Sequence, residues 1–142
     1  MEQKDYISRE IEKLGLILRA ISQKIFRGNE KMSINIEKQV DDTKGVLVSE
    51  IGFDIDKFVD LDIEDYEKYL GNYKGFNIDN IELLADFSYQ IGLIIKSDKS
   101  KRYLEKALQL YQLIIIKSKT YSFEREMKVL EIKKRNSESR EL

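Results

Sequence analysis

Apolar residues recur along this chain at intervals of three and four, the period of amphipathic α-helices. Ile7, Ile11, Leu14, Leu18, Ile21 and Ile25 share one stripe of a helix running from Asp5 to Arg27, which Gly28-Asn29 is expected to end. Asn29 is then a candidate N-cap for a second helix carrying Met32, Ile36, Val40, Thr43 and Leu47. The run Val46-Leu47-Val48 would suit a short strand, but no partner strand exists elsewhere, so the second helix is read on to about Ile51. After Gly52, the positions Val59, Ile63, Tyr66, Leu70 and Tyr73 predict a third helix that begins between Asp56 and Asp62 and stops at Gly71 to Gly75.

Asn77 is expected to cap a fourth helix through Ile81, Leu84, Ser88, Ile91 and Ile95, and Asp98 to Ser100 make the next turn. A fifth helix follows with Leu104, Ala107, Leu108, Tyr111, Ile114 and Ile115; apolar nearly all round in its second half, it is the candidate for the buried centre. Ser122 caps a sixth helix that turns Phe123, Met127 and Leu130 inward. From Lys133 the pattern dissolves, leaving a single helical domain over 1–132 and a polar, disordered tail over 133–142. The reading is an all-α fold: five or six antiparallel helices, as stacked helical hairpins or as a compact bundle.

Composition supports this. The chain has 142 residues, 42% apolar, enough for one full core, and with no proline it lacks the strongest helix breaker. Its 25 basic and 26 acidic residues nearly cancel. They are unevenly placed, since 41–86 holds 13 acidic against 4 basic residues and 87–142 holds 13 basic against 7 acidic. With no cysteine there is no disulfide framework or thiolate chemistry, and the acidic start without an apolar leader points to a cytoplasmic protein. The longest apolar runs, Leu93 to Ile95 and Leu113 to Ile116, are far shorter than the roughly 20 residues that span a bilayer. Neither a membrane nor a nucleic acid is an expected partner; the basic group Lys128, Lys133, Lys134 and Arg135 is diluted by glutamates and lacks interleaved aromatics.

The chemistry of catalysis is thin. Without histidine or cysteine, and without a glycine-rich phosphate loop or a serine elbow, no catalytic residue is assigned and no cofactor is expected. The acidic segment Asp54, Asp56, Asp60, Asp62, Glu64, Asp65 and Glu67 is the one constellation that would suit a hard cation. It fails the calcium-loop pattern, with Asp65 or Val59 where glycine is needed, and its acids suit the positive end of a helix dipole; no metal ligand is assigned. Carboxylate-based catalysis or metal binding stays as the alternative function, and self-assembly as a third.

The segments Leu84-Ala85-Asp86-Phe87-Ser88-Tyr89-Gln90-Ile91-Gly92 and Tyr103-Leu104-Glu105-Lys106-Ala107-Leu108-Gln109-Leu110-Tyr111 together resemble one tetratricopeptide repeat, over about residues 81–116. Ala85, Gly92, Tyr103, Ala107 and Leu108 carry the resemblance, and only one repeat is legible where a solenoid ordinarily stacks three or more. Separately, Asp5-Tyr6-Ile7-Ser8-Arg9-Glu10-Ile11-Glu12 resembles the opening of an uncharacterised family of bacterial helical proteins, which implies no activity. The repeat resemblance implies a concave groove lined by the first helix of the hairpin, with Asp86, Tyr89, Gln90 and Lys96 as contacts to a protein or peptide partner. Tyr69, off the apolar stripe of its own helix, is a further candidate contact, and the long stripe of the first helix offers a seam for pairing with a second copy. The expected function is therefore a non-catalytic interaction module.

Overall fold

A computed structural model describes residues 2–30 and 36–141 and contains, among them, seven helices: α1 (Glu2–Glu30), α2 (Ile36–Ile51), α3 (Ile55–Val59), α4 (Tyr66–Gly71), α5 (Ile78–Ile94), α6 (Lys99–Ser118) and α7 (Phe123–Glu141). They pack into one all-α bundle of helical hairpins. Its centre is the hairpin of α5 and α6, on which α1 lies along α5, α2 lies along α1, and α7 returns beside α6. No described helix is long and apolar enough to cross a membrane.

The stripe of α1 behaves as its spacing predicts in the middle of the helix, where Leu14, Leu18, Ile21 and Ile25 are buried. From Leu14 to Ile25 that seam is packed against α2 and α5 of the same chain, while Ile7 at its start is exposed. The helix does not stop at Gly28-Asn29. It continues to Glu30, so Asn29 lies inside α1 and is no N-cap; one glycine costs a helix only about 1 kcal/mol. Met32 lies outside the described residues. The segment Val46-Leu47-Val48 is helical, and Gly52, at a left-handed φ of 76°, turns the chain out of α2 so that the Phe53 amide reaches back to the Leu47 carbonyl at 3.2 Å.

The expected third helix is instead two short ones separated by a turn at 60–65. Ile63, placed on the inward stripe by spacing alone, is 63% exposed. Tertiary contacts from α6 account for the break. The Lys106 ammonium takes the Leu61 carbonyl at 2.7 Å, and Arg102 holds the Asp60 carboxylate at 2.8 Å, so that the start of the turn is drawn toward α6. On either side of the turn, Phe53, Phe58, Tyr66, Tyr69, Tyr73 and Phe76 form one aromatic cluster with centroids 5.2–6.3 Å apart.

Asn77 caps α5 as expected, its side chain accepting the Asn80 amide at 2.9 Å. The α5 to α6 hairpin closes on a small residue. A Cβ on Gly92 would stand 2.7 Å from the Leu104 side chain, so only glycine lets the two helices meet there. Nearby, Ser88 Oγ donates to the Tyr103 carbonyl at 2.7 Å and Ser100 Oγ to the Gly92 carbonyl at 2.5 Å, which fixes the register of the pair.

The last helix departs furthest from its sequence reading. It runs on to Glu141 through most of the polar tail segment, and it turns Phe123, Met127 and Leu130 outward, not inward. Its buried residues are Arg125, Val129 and Ile132.

Candidate docking surface

The orientation of α7 is set at its first turn. Lys119 ends α6 in a left-handed conformation (φ 54°), and the Ser122 hydroxyl accepts the Arg125 amide at 3.2 Å as the N-cap of α7. Glu124 and Glu126 follow, favourable beside the positive end of the helix dipole. Arg125 then anchors the helix. Its Nε and Nη2 donate to the two Glu82 oxygens on α5 at 2.8 and 3.1 Å, and its Nη1 donates to the Thr120 carbonyl at 3.0 Å. The Arg125 side chain is 5% exposed, and the hydrogen bonds from its guanidinium to Glu82 hold it even more firmly protonated than usual.

One turn on, Lys128 Nζ donates to Asp86 at 2.9 Å, and the same carboxylate oxygen accepts the Tyr111 hydroxyl at 2.5 Å. Burial, reinforced by that carboxylate, raises the Tyr111 phenol far above its ordinary range, so Tyr111 stays a neutral donor. Two basic residues thus fasten α7 to α5, with Val129 and Ile132 supplying its apolar contact.

A helix advances 100° per residue, so the face opposite Arg125, Val129 and Ile132 is the one bearing Phe123, Met127 and Leu130. These three are 67%, 51% and 52% exposed. The arrangement is the reverse of ordinary helix packing, in which a charged residue faces water and the largest apolar ones face the core. Fully burying such a side chain contributes about 1.5–3 kcal/mol, and here that contribution goes unused within the chain. Beside the start of the stripe, the exposed Tyr121 and Ile115 line a cleft of about 450 Å³ together with Ser122 and Glu126.

The residues singled out from sequence fall in different places. Asp86 is half-buried on α5 and held by Lys128 and Tyr111, and Tyr89, also half-buried, senses Glu131 and Arg135 of α7. Asp86 and Tyr89, two of the residues that the repeat resemblance assigns to a groove, therefore face side chains of α7. Gln90 is half-buried, and its Oε1 has no hydrogen-bond partner among the described residues. Lys96 is exposed in the link between α5 and α6, and Tyr69 is half-buried in the aromatic cluster of α4. Sequence reasoning missed Arg125 and Glu82. The available signal was that Arg125, Val129 and Ile132 also share a helical face, competing with the more apolar stripe beside it.

The acidic segment is dispersed by its own hydrogen bonds. Asp54 caps α3 by accepting the Lys57 amide, Asp60 pairs with Arg102, and Asp56 accepts from Lys44 at 3.1 Å and from the Tyr103 hydroxyl. Among the described residues no group of three carboxylates is placed to hold a metal ion. A cleft of about 770 Å³ lies between this segment and α6, and Lys106 stands in its wall. The residue is 2% exposed; its amine donates to the Leu61 carbonyl and to Gln109 at 2.7 and 2.8 Å and lies over the rings of Tyr66 and Phe58 at 4.7 and 5.6 Å. Desolvation lowers its pKa, yet its hydrogen bonds and ring contacts are those of a clamp on the turn at 60–65.

Comparison with protein-family models, with curated proteins and with solved structures gives no match.

Proposed function

We propose that this protein is a non-catalytic docking module whose contact surface is the outward stripe of α7, with Phe123, Met127 and Leu130 as its apolar anchors. A single observation supports the reading: α7 is fastened by Arg125 and Lys128 on one face while its three large apolar residues stand in water on the other. A contiguous apolar strip flanked by charges is the usual composition of a recognition surface, and helix-in-groove contacts use this i, i+4, i+7 spacing. In the largest acidic segment, Asp54 and Asp60, with Lys106 facing them, are engaged in fixing a cap and a turn.

The test replaces the stripe without touching the anchor. The triple variant Phe123→Ser, Met127→Ser, Leu130→Ser should unfold within about 0.5 kcal/mol of wild type per site, because exposed positions carry little folding energy. A photo-crosslinking side chain at position 127 should label a discrete partner in the native cell, and the label should disappear when Phe123 and Leu130 are serine. Labelling that is unchanged by those substitutions, or a triple variant that no longer folds, would remove the stripe from consideration as a docking surface.

A further inference from the structure

The charges beside the stripe indicate what covers it, granted the docking reading above. Phe123, Met127 and Leu130 follow one another at intervals of four and three, which places them on the alternating d and a positions of a heptad seam. In the same frame Glu124, Glu131 and Glu138 fall seven apart, on the e positions along one edge of that seam, about 10 Å from one to the next along the helix. The opposite edge is mixed, with Glu126 followed by Lys133. Glu124 and Glu138 are exposed, and Glu131 is half-buried with an i, i+4 ion pair to Arg135 whose two side chains keep 40% and 48% of their surface in water. Such an exposed pair is easily exchanged for a partner's charge.

We infer that the occupant of this seam is an amphipathic helix of another protein, apolar along its own seam and edged by a row of lysine or arginine that runs beside Glu124, Glu131 and Glu138. A second copy of this chain fits less well. Antiparallel pairing of two α7 helices sets the glutamate row against itself; parallel pairing sets Glu131 against Glu126 of the other copy and Lys134, at the next a position, against its own counterpart, which the contact of Lys133 with Glu138 offsets only in part.

Two synthetic peptides test this against the full chain. Both are three heptads long with leucine at the a and d positions; one carries lysine and the other glutamate at the positions that border the seam, and binding is read from fluorescence anisotropy. The lysine-edged peptide should bind about tenfold more tightly, a preference that weakens as salt is raised. The order should invert with Glu124→Lys, Glu131→Lys and Glu138→Lys together, and Met127→Ser with Leu130→Ser should abolish binding of both. Should the triple charge variant lose its helical spectrum, Glu131→Lys alone should weaken the lysine-edged peptide by about twofold.

Equal binding of the two peptides, still lost with Met127→Ser and Leu130→Ser, would overturn the charge assignment and leave the docking surface intact. Failure of both peptides together with a dimer in sedimentation equilibrium that dissociates on Leu130→Ser would assign the seam to a second copy. Failure of both with a monomeric protein would overturn the inference and the docking reading together.

Discussion

Arg125 of α7 and Glu82 of α5 face one another side-on, with two parallel N–H to O contacts of 2.8 and 3.1 Å, and this pair decides which face of α7 is turned toward the protein. Guanidinium and carboxylate match in shape, so the contact specifies both distance and rotation. Arg125→Met removes it and leaves the partly hydrated Glu82 unpaired. We expect a loss of about 2 kcal/mol in urea unfolding, in the range of hydrogen bonds to charged groups. Arg125→Lys should recover less than half of that, because an ammonium cannot make the two-point contact. Hydrogen exchange should locate the loosening in α7 and spare α1 and α2.

Glycine substitutions should have opposite signs at two positions. Gly92→Ala drives a Cβ to 2.7 Å from Leu104 at the crossing of α5 and α6, and overpacking of this kind costs about 1–3 kcal/mol. Gly45→Ala, on the exposed side of α2 with nothing within 4 Å of the new Cβ, should stabilise by about 0.5–1 kcal/mol through helix propensity. Paired thermal melts of the two variants check the contrast.

Stability should fall on the alkaline side through buried phenols. Burial, with help from Asp56 and Asp86, raises the pKa of Tyr103 and Tyr111 far above 10, and burial, with help from Tyr69, pushes Tyr73 up to about 12. A raised folded-state pKa means that the native chain keeps protons the unfolded chain loses. The contribution is complete below pH 10 and declines above it, for Tyr73 between 10 and about 12. Tyr103→Phe should cost about 1 kcal/mol near neutrality and flatten this alkaline decline, as measured by urea midpoints across that window.

The acid side has the mirror case in Asp56. Burial alone would raise its carboxyl, but hydrogen bonds from Tyr103 and Lys44 outweigh it and hold the pKa below 3.8. Its contribution is therefore present above pH 3.8 and lost as the pH falls through the lowered value. Asp56→Asn should make the acid limb of the same midpoint curve shallower.

Lys106→Met should open the turn between α3 and α4. The methionine keeps the stem over Phe58 and Tyr66 but leaves the Leu61 carbonyl without its donor, at a cost of about 1–3 kcal/mol. Faster hydrogen exchange at the Asp65 and Tyr66 amides, which both donate to the Asp62 carbonyl, would report the opening. Unchanged exchange there would show that the ammonium does not hold the turn.

Most of the helices were legible in the sequence because an apolar residue every three or four positions leaves a segment few other ways to shield itself. The seam of α1 from Leu14 to Ile25, the Asn77 cap of α5, the Ser122 cap of α7 and the burial of Leu104, Ala107, Tyr111 and Ile114 in α6 follow from local pattern, whereas Ile115 and Ile116, read with that helix's apolar second half, are exposed. Periodicity assigns a face to each helix but does not say which face meets a neighbour when two compete. In α7 the choice fell to Glu82 and Asp86, contributed by a helix about 40 residues earlier, whose carboxylates give Arg125 and Lys128 a better place inside than out.

The turn at 60–65 was hidden for the same reason, since Arg102 and Lys106 reach it from α6 across a separation of more than 40 residues. Local sequence thus determined where the chain coils, through the period of its side chains. Tertiary structure alone decided which side of α7 is left for a partner, because that depends on charges that meet only after the bundle has closed.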